Sequence, residues 1–465
     1  MDTAAAHGFH AFGVDKMTEI GVDKSKSIKM RKIPAEDRIR NFREVMLGYD
    51  STEAKAEMSR CLLCKKEPKC IAGCPAHFDV QAFVKPASEG RLEDAMRELL
   101  NDSPFPATLA RVCPHKCTKE CIRGKKGEPI EIANIKRYIT DNVDRTKLGI
   151  KPEPATGKKI AVIGAGPAGL TVAYRLALKG HRIDVFEELP VSGGMLYVGI
   201  PEYRLPRDVL NSEIDFIKSL GVSIHNNTRI ESLDGLWKDG YEAIYIGTGA
   251  HLPQKLGVPG EDMEGVVHAT TFLRDINLGK AVKLGERVAV VGGGNVAMDA
   301  VRVSVRLGAK KVFIVYRRTM AEMPADKSEI EDSEEEGVEI HILAAPVKIL
   351  GSSGKVTGME CIKMELGEPD SSGRRRPVPV KGSEFTLDVD TVIPAISQSA
   401  DTKWLPDTIK LTKWGTIEVD AQTGATSLRG VYAGGDNTLG PATVIQAIDA
   451  GNKAAAAIDA YLKSI

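Results

Sequence analysis

Short apolar runs and amphipathic stretches alternate along the chain after about residue 158. Residues 160–163 (IAVI) and 288–291 (VAVV) are wholly apolar, as strands buried on both faces of a parallel sheet are. Each run ends in a glycine-rich turn, Gly164-Ala165-Gly166-Pro167-Ala168-Gly169 and Gly292-Gly293-Gly294-Asn295-Val296-Ala297. A second apolar strand follows each turn at the roughly 20-residue spacing of a dinucleotide-binding βαβ unit. Two more apolar strands end on glycine, Tyr245-Ile246-Gly247-Thr248-Gly249 and Val431-Tyr432-Ala433-Gly434-Gly435-Asp436. Upstream, residues 34–150 read as helices broken by cysteine loops. There Ile132, Ile135 and Ile139 share one helical face at i, i+3, i+7, with Ile130 just before, and the stretch 125–147 reads as an amphipathic helix. Segments 352–354 and 369–373 read as hairpin turns in a β-rich part. The acidic run 329–336 reads as a solvated helix face, because like charges in a row repel unless hydrated.

The strand tips assign chemistry to the two turns. The first unit ends Asp184-Val185-Phe186-Glu187, and a carboxylate there accepts from a free ribose 2′-hydroxyl, which suits FAD or NAD. The second ends Tyr316-Arg317-Arg318, and an arginine there accommodates a 2′-phosphate, which suits NADP(H). Glycines let the backbone approach a pyrophosphate at a helix N-terminus, where unpaired N–H groups and the helix dipole favour negative charge. Ala297 at the third small position still permits close helix packing. Asp436, at a strand end before a helix starting near Thr443, is placed to bond a flavin's ribityl chain or to cap that helix.

Composition narrows the class. The 465 residues allow roughly three domains. Lys+Arg and Asp+Glu both number 63, so zero formal charge gives no basis for nucleic acid or an anionic membrane as partner. No apolar run approaches the ~20 residues of a membrane span. The first thirty residues lack the apolar core of a secretory signal, so a cytoplasmic location is expected. Residues 1–33 read as an N-terminal extension.

Seven of the eight cysteines crowd into one window: Cys61, Cys64, Cys70 and Cys74-Pro75, then Cys113, Cys117 and Cys121. In a reducing compartment such crowding means metal rather than disulfides. Three cysteines followed by Cys-Pro is a ferredoxin-like pattern in which the last member serves another cluster, whereas zinc sites pair two Cys-x2-Cys knuckles. One or two clusters follow, and two cubanes would need eight ligands where seven thiols stand. His77 and His115 lie nearby. Cys361 stands apart as a core thiol.

The stretches at 192–206 (SGGMLYVGIPEYRLP) and 292–299 (GGGNVAMD), with Tyr316-Arg317-Arg318, Met323-Pro324-Ala325, Gly434-Gly435-Asp436 and Pro441-Ala442-Thr443, carry a resemblance. The chain resembles the small subunit of NADPH-dependent glutamate synthase. It is also similar to the large, NADPH-binding subunit of the bifurcating NADH-dependent ferredoxin:NADP oxidoreductase, which the opening around Pro34, Asn41 and Leu47 mildly favours. The resemblance implies an α/β chain: an N-terminal α-helical iron–sulfur domain (34–150), then two Rossmann-like domains, with an NADP(H) domain (285–396) inserted into an FAD domain (158–284 and 397–465). It implies FAD on Gly164, Gly166, Gly169, Glu187 and Asp436, with Gly194, Met195, Leu196 and Arg204 against the flavin and Thr443 near its far edge. It implies NADP(H) on Gly292, Gly294, Asn295, Arg317 and Arg318. One 4Fe–4S cluster would take Cys61, Cys64, Cys70 and Cys121. The other would take Cys74, Cys113, Cys117 and a Glu or Gln, a position that holds Lys136 here; Glu128, Glu131, a histidine or water are the substitutes open at this point. No catalytic acid or nucleophile is implied, because hydride transfer is done by the cofactors. Partner subunits are expected to dock at the iron–sulfur domain.

Overall fold

A computed structural model describes residues 23–370 and 373–465, and among these described residues there are fourteen strands. They are β1 (Lys159–Ile163), β2 (Arg182–Phe186), β3 (Ser223–His225), β4 (Ala243–Ile246) and β5 (Leu252–Pro253). Then come β6 (Arg287–Val291), β7 (Lys311–Tyr316), β8 (Glu339–Ile342), β9 (Ala344–Ser352), β10 (Lys355–Pro369) and β11 (Arg375–Leu387). β12 (Thr391–Pro394), β13 (Gln398–Ser399) and β14 (Val431–Ala433) complete the set.

Two parallel sheets organise the molecule. The first has the order β14-β4-β1-β2-β3, the second β12-β6-β7-β8. Ile160, Ala161 and Val162 of β1 and Val288, Ala289 and Val290 of β6 are fully buried, so both faces of each central strand are covered. The helices Pro167–Leu178 and Asn295–Arg306 follow the two glycine turns directly. β14 returns the chain to the edge of the first sheet beside β4, and the helix Val444–Lys463 packs back across that unit. β5 and β13 pair antiparallel and form a two-stranded ribbon where the chain crosses between the sheets. β9, β10 and β11 form a separate antiparallel sheet, with Ser353-Gly354 turning the first hairpin; Ser371 and Ser372 lie outside the described residues.

The cysteine-bearing region is helical. Asp50 caps the helix Ser51–Ser59 with a reciprocal capping box to Glu53, and Asp79 caps Val80–Ser88. Phe83, Met96, Leu99, Phe105, Ile135 and Ile139 are fully buried in a core continuous with Ile160 and Val162 of β1. The helical module is therefore seated on the first sheet unit. Its last helix is shorter than the periodicity predicts: it spans Ile132–Asn142, because Ile122–Lys125 winds as a 3-10 turn and Pro129 removes a backbone donor before it. Residues 23–33 pack on this module, Ser27 Oγ donating to Glu128 Oε2 at 2.6 Å and the Ile28 amide to Glu57 Oε2 at 2.8 Å. Residues 1–22 of the expected extension lie outside the described residues.

The acidic run corrects the expectation of a solvated face. The helix Lys327–Glu335 and its cap Glu336 turn Asp332 and Glu336 inward, and Glu329 is largely covered. Arg302 Nη2 lies 2.9 Å from Glu336 Oε1, Arg38 Nε lies 2.8 Å from the same oxygen, and Arg306 Nη1 lies 2.5 Å from Glu336 Oε2. Three arginines from distant sequence positions neutralise the carboxylates, which the local charge pattern could not reveal. Among the described residues, no helix is long and apolar enough to cross a membrane.

Candidate functional site

The first glycine turn is built to bring backbone, not side chains, to its surface. Gly164 holds φ +100°, and a Cβ there would lie 2.5 Å from the Gly247 carbonyl oxygen. A Cβ on Gly169 would collide with the Gly164 carbonyl, so that position packs the helix onto its strand. Gly166 instead faces open space as the N-cap of Pro167–Leu178, leaving a cradle above the helix's first amides. Glu187 closes the turn: its Oε2 accepts from the Ala165 amide at 2.7 Å and its Oε1 from the Leu189 amide at 2.9 Å. Burial pushes its carboxyl up, and the two amides pull it back.

Around this turn lies a cavity of about 500 Å³, within the range of small-molecule sites. Gly164, Gly166, Glu187, Gly194, Met195, Leu196, Arg204, Asp436 and Thr443 all line it. Asp436 is half-buried, its Oδ1 accepting the Ala442 amide at 3.2 Å, and burial raises its carboxyl to about 6. A half-buried carboxyl with spare acceptor capacity suits a ligand hydroxyl. Thr443 spends its hydroxyl on a capping box with Gln446, 2.7 Å away. The residues present thus fit a dinucleotide. The same cavity reaches Asn295 and Asp299 at the start of Asn295–Arg306, and Val112 and Pro114 beside Cys113. His251, Asp299 and Trp404 also line it and were not foreseen; for His251 the signal was its place after the 247–249 glycine turn.

The second turn repeats the logic, with Asn295 and Val296 reaching that cavity and its glycines lying outside it. Gly292 holds φ +149° against the Ala395 carbonyl, Gly294 faces open space, and Ala297 is fully buried under the helix. Asn295 Oδ1 accepts from the Asp326 amide at 2.9 Å. At the tip of β7 the two arginines part company. Arg318 is buried, with Nη2 2.7 Å from Asp370 Oδ2 and Nε 2.8 Å from the Arg375 carbonyl. Arg317 is exposed and has no ion pair among the described residues.

The cysteines fall into two groups. Cys61, Cys64, Cys70 and Cys121 line one cavity of about 30 Å³. Burial, then the neighbouring thiols Cys121, Cys117 and Cys61, push Cys70 up to about 12; burial also raises Cys61. Cys74, Cys113 and Cys117 form the second group. Burial raises Cys113, and it takes Cys117 to about 11, while the Lys136 ammonium opposes both shifts and Cys74 adds to them. Such thiols become thiolates only when cations displace their protons, which is what a metal centre does. Among the described residues, no three His, Cys, Asp or Glu side chains close on one point as a single zinc ion requires, and the first four thiols ring a small cavity instead. That arrangement fits clusters. Glu128 is engaged by Ser27 and Lys29, and Glu131 lies 3.8 Å from Lys29, both at the arm rather than among the second thiols. His77 is exposed. Cys361 is fully buried in β10, as a core thiol.

Arg204 does not simply face the cavity. Its Nη1 lies 2.8 Å from Asp299 Oδ2 and its Nε 3.0 Å from Glu329 Oε1, so it bridges the two nucleotide units.

Comparisons agree with this architecture. Residues 158–451 match the pyridine nucleotide-disulphide oxidoreductase family, and residues 38–148 match dihydropyrimidine dehydrogenase domain II, a 4Fe–4S domain. The chain is 45% identical over 454 residues to the NADP(+)-dependent formate dehydrogenase subunit beta of Moorella thermoacetica, covering 90% of this chain and 64% of that protein. It is thus under two thirds of that relative's length. It is 39% identical to the NADPH-Fe(3+) oxidoreductase subunit beta of Geobacter sulfurreducens, covering 93% of this chain and 69% of that one. The glutamate synthase (NADPH) small chain of Escherichia coli is 35% identical, with 94% and 96% covered. In fold, FprA from Mycobacterium tuberculosis in complex with NADPH matches with a TM-score of 0.55 at 18% identity, over 66% of this chain and 85% of that one. Thioredoxin reductase of T. acidophilum matches at 0.51 and 24%, over 66% and 99%. The chain belongs to the pyridine nucleotide-disulphide oxidoreductase family, as an FAD- and NADP-binding oxidoreductase with a 4Fe–4S domain at its N-terminal side.

Proposed function

We propose that this chain is the electron-transferring subunit of a larger complex, linking NADP(H) to one-electron carriers through FAD and iron–sulfur. The observation that supports this most is the single cavity touched by three parts. The Gly166 cradle, the start of Asn295–Arg306, and Val112 and Pro114 beside Cys113 all border it. FAD supplies the exchange between two-electron hydride transfer and one-electron transfer. The protein's task is placement. Gly166, Glu187 and Asp436 hold one dinucleotide; Gly292, Gly294 and Asn295 hold the other, with Arg317 on the 2′-phosphate and Arg318 bracing that tip through Asp370. Gly194, Met195 and Leu196 wall the reacting end of the cavity. No Cys pair accompanies these residues, since Cys361 is the sole cysteine after residue 121, which speaks against thiol reduction.

The relatives named as beta or small subunits support a partner chain. We place its docking face at the first cysteine group. Leu62 is 52% and Ile122 38% exposed there, and both line the same cavity as Cys61 and Cys121. Lys65, Lys66, Lys69, Lys125 and Lys126 are exposed around them. An apolar spot within a basic rim fits an acidic redox protein. The higher identity to the formate dehydrogenase and Fe(3+) oxidoreductase subunits favours that kind of complex over glutamate synthase.

The test is anaerobic purification with iron, sulfide and flavin counts, then NADPH and NADH titration followed by visible absorbance. Bleaching of a flavin band by NADPH, with NADH far weaker, is the expected result. A colourless protein without labile sulfide would overturn the reading.

A further inference from the structure

The second cysteine group offers three thiols, and Lys136 stands at the sequence position where the resemblance implies a fourth donor. Cys74, Cys113 and Cys117 act on one another electrostatically, and the foremost charge acting on both Cys113 and Cys117 is the ammonium of Lys136. Lys136 projects from the helix Ile132–Asn142, is 7% exposed, and has its Nζ 4.1 Å above the Phe78 ring. Phe78 is 2% exposed and follows Cys74 by four residues, so the ring fixes the ammonium beside the group rather than letting it reach water. An ammonium offers three donors and no lone pair. It hydrogen-bonds to sulfur but does not ligate iron.

The other candidates point elsewhere. Glu128 and Glu131 are held at the arm by Ser27 and Lys29. His115 is half-buried, and the charges facing it are Asp326, Lys136 and Lys119, none of them a thiol. Asp326 heads the helix Lys327–Glu335 in the second nucleotide unit, and its charge is the last of those acting on Cys113.

We propose that the second cluster is held by three thiolates alone, with Lys136 as a non-ligating counter-cation at the fourth corner. This rests on the assignment of a cluster to Cys74, Cys113 and Cys117 above. The fourth iron then carries only a non-protein ligand such as water or hydroxide, and is removable. With an added one-electron oxidant such as ferricyanide, which takes one electron and becomes ferrocyanide, such a cluster would release one Fe²⁺ and leave a 3Fe–4S core on the three cysteines. The buried positive charge also offsets the negative charge that three thiolates bring into the core.

The experiment uses the full chain purified anaerobically, with iron and sulfide counts and electron paramagnetic resonance during titration with ferricyanide. The expected starting content is about eight irons per chain, two cubanes. One iron is lost, and a single 3Fe–4S signal grows from one cluster while the other resists. Cys64→Ser should leave that signal in place, because it removes the other cluster. Lys136→Glu, which supplies an oxygen donor, should keep all the iron and suppress the signal; Lys136→Met, which removes the charge without adding a donor, should still convert. Resistance of both clusters in the unaltered chain would overturn the proposal. So would conversion of Lys136→Glu at the unaltered chain's rate, or a changed signal in His115→Ala or Asp326→Asn. A content of about four irons that Cys113→Ser does not lower would remove the second cluster itself, and the proposal with it.

Discussion

Arg204 Nη1 lies 2.8 Å from Asp299 Oδ2, and this contact joins the loop after the first nucleotide turn to the helix of the second. Glu329 shares the same guanidinium at 3.0 Å, and burial raises the Asp299 carboxyl while Arg204 pulls it down. Removing one partner of a buried ion pair strands the other, at about 3–5 kcal/mol. Asp299→Ala leaves Arg204 on Glu329 alone, so it should lower unfolding stability by less than that and slow flavin reduction by NADPH. Urea denaturation and stopped-flow absorbance check it; an unchanged midpoint would show that the bridge is dispensable.

The unequal surroundings of Arg317 and Arg318 separate binding from architecture. A charge-assisted contact to a 2′-phosphate contributes about 1.5–3 kcal/mol, or roughly ten- to a hundredfold in affinity. Arg317→Ala should weaken NADPH by that factor and leave NADH unchanged. Arg318→Ala should instead loosen the β10–β11 end that Asp370 and Arg375 hold. Equal losses of NADPH and NADH in Arg317→Ala would remove the phosphate role.

Asp436 gives a pH signature. Its folded carboxyl titrates at about 6 against an ordinary 3.8, so the native state holds the proton more tightly than the unfolded state does. The stability this residue contributes is full below its unfolded value and is lost as pH rises through about 6, by at most about 3 kcal/mol. In flavin-depleted protein, Asp436→Asn should raise the melting temperature at about pH 8 and change little at about pH 4. The same variant should bind flavin more weakly. A melting difference that ignores pH would contradict this.

The basic rim of the first cysteine group predicts a salt-sensitive association. Lys65→Glu combined with Lys66→Glu should cut the association rate with an acidic partner at low ionic strength, and the difference should shrink as salt screens the charges. Surface binding kinetics at two salt concentrations read this directly. A deficit unaffected by salt would place the partner elsewhere.

Much of this was readable in one dimension because the signals are local. Gly164 and Gly292 are glycines since a side chain would strike Gly247 or Ala395, and the strands before them are apolar because both faces are covered. Cysteine spacing shows that metal is held, but its grouping in space needs the fold. What stayed hidden is long-range pairing. Glu336 looks hydrated until Arg38 and Arg302 meet it, and Arg317 and Arg318 look equivalent until Asp370 claims one of them. The helix ending at Asn142 begins later than its apolar spacing suggests, because Pro129 and the 3-10 turn at Ile122–Lys125 intervene.

Lys32 and Arg38, from the arm ahead of the cysteine loops, grip Asp332, Glu335 and Glu336 on the far nucleotide unit. The arm is a yoke. A swing of the nicotinamide-carrying lobe about the two-stranded ribbon would have to drag the metal-bearing module along, or tear three carboxylates from one sealed guanidinium. On the function proposed above, hydride delivery and the exit of electrons would be geared to the same lever.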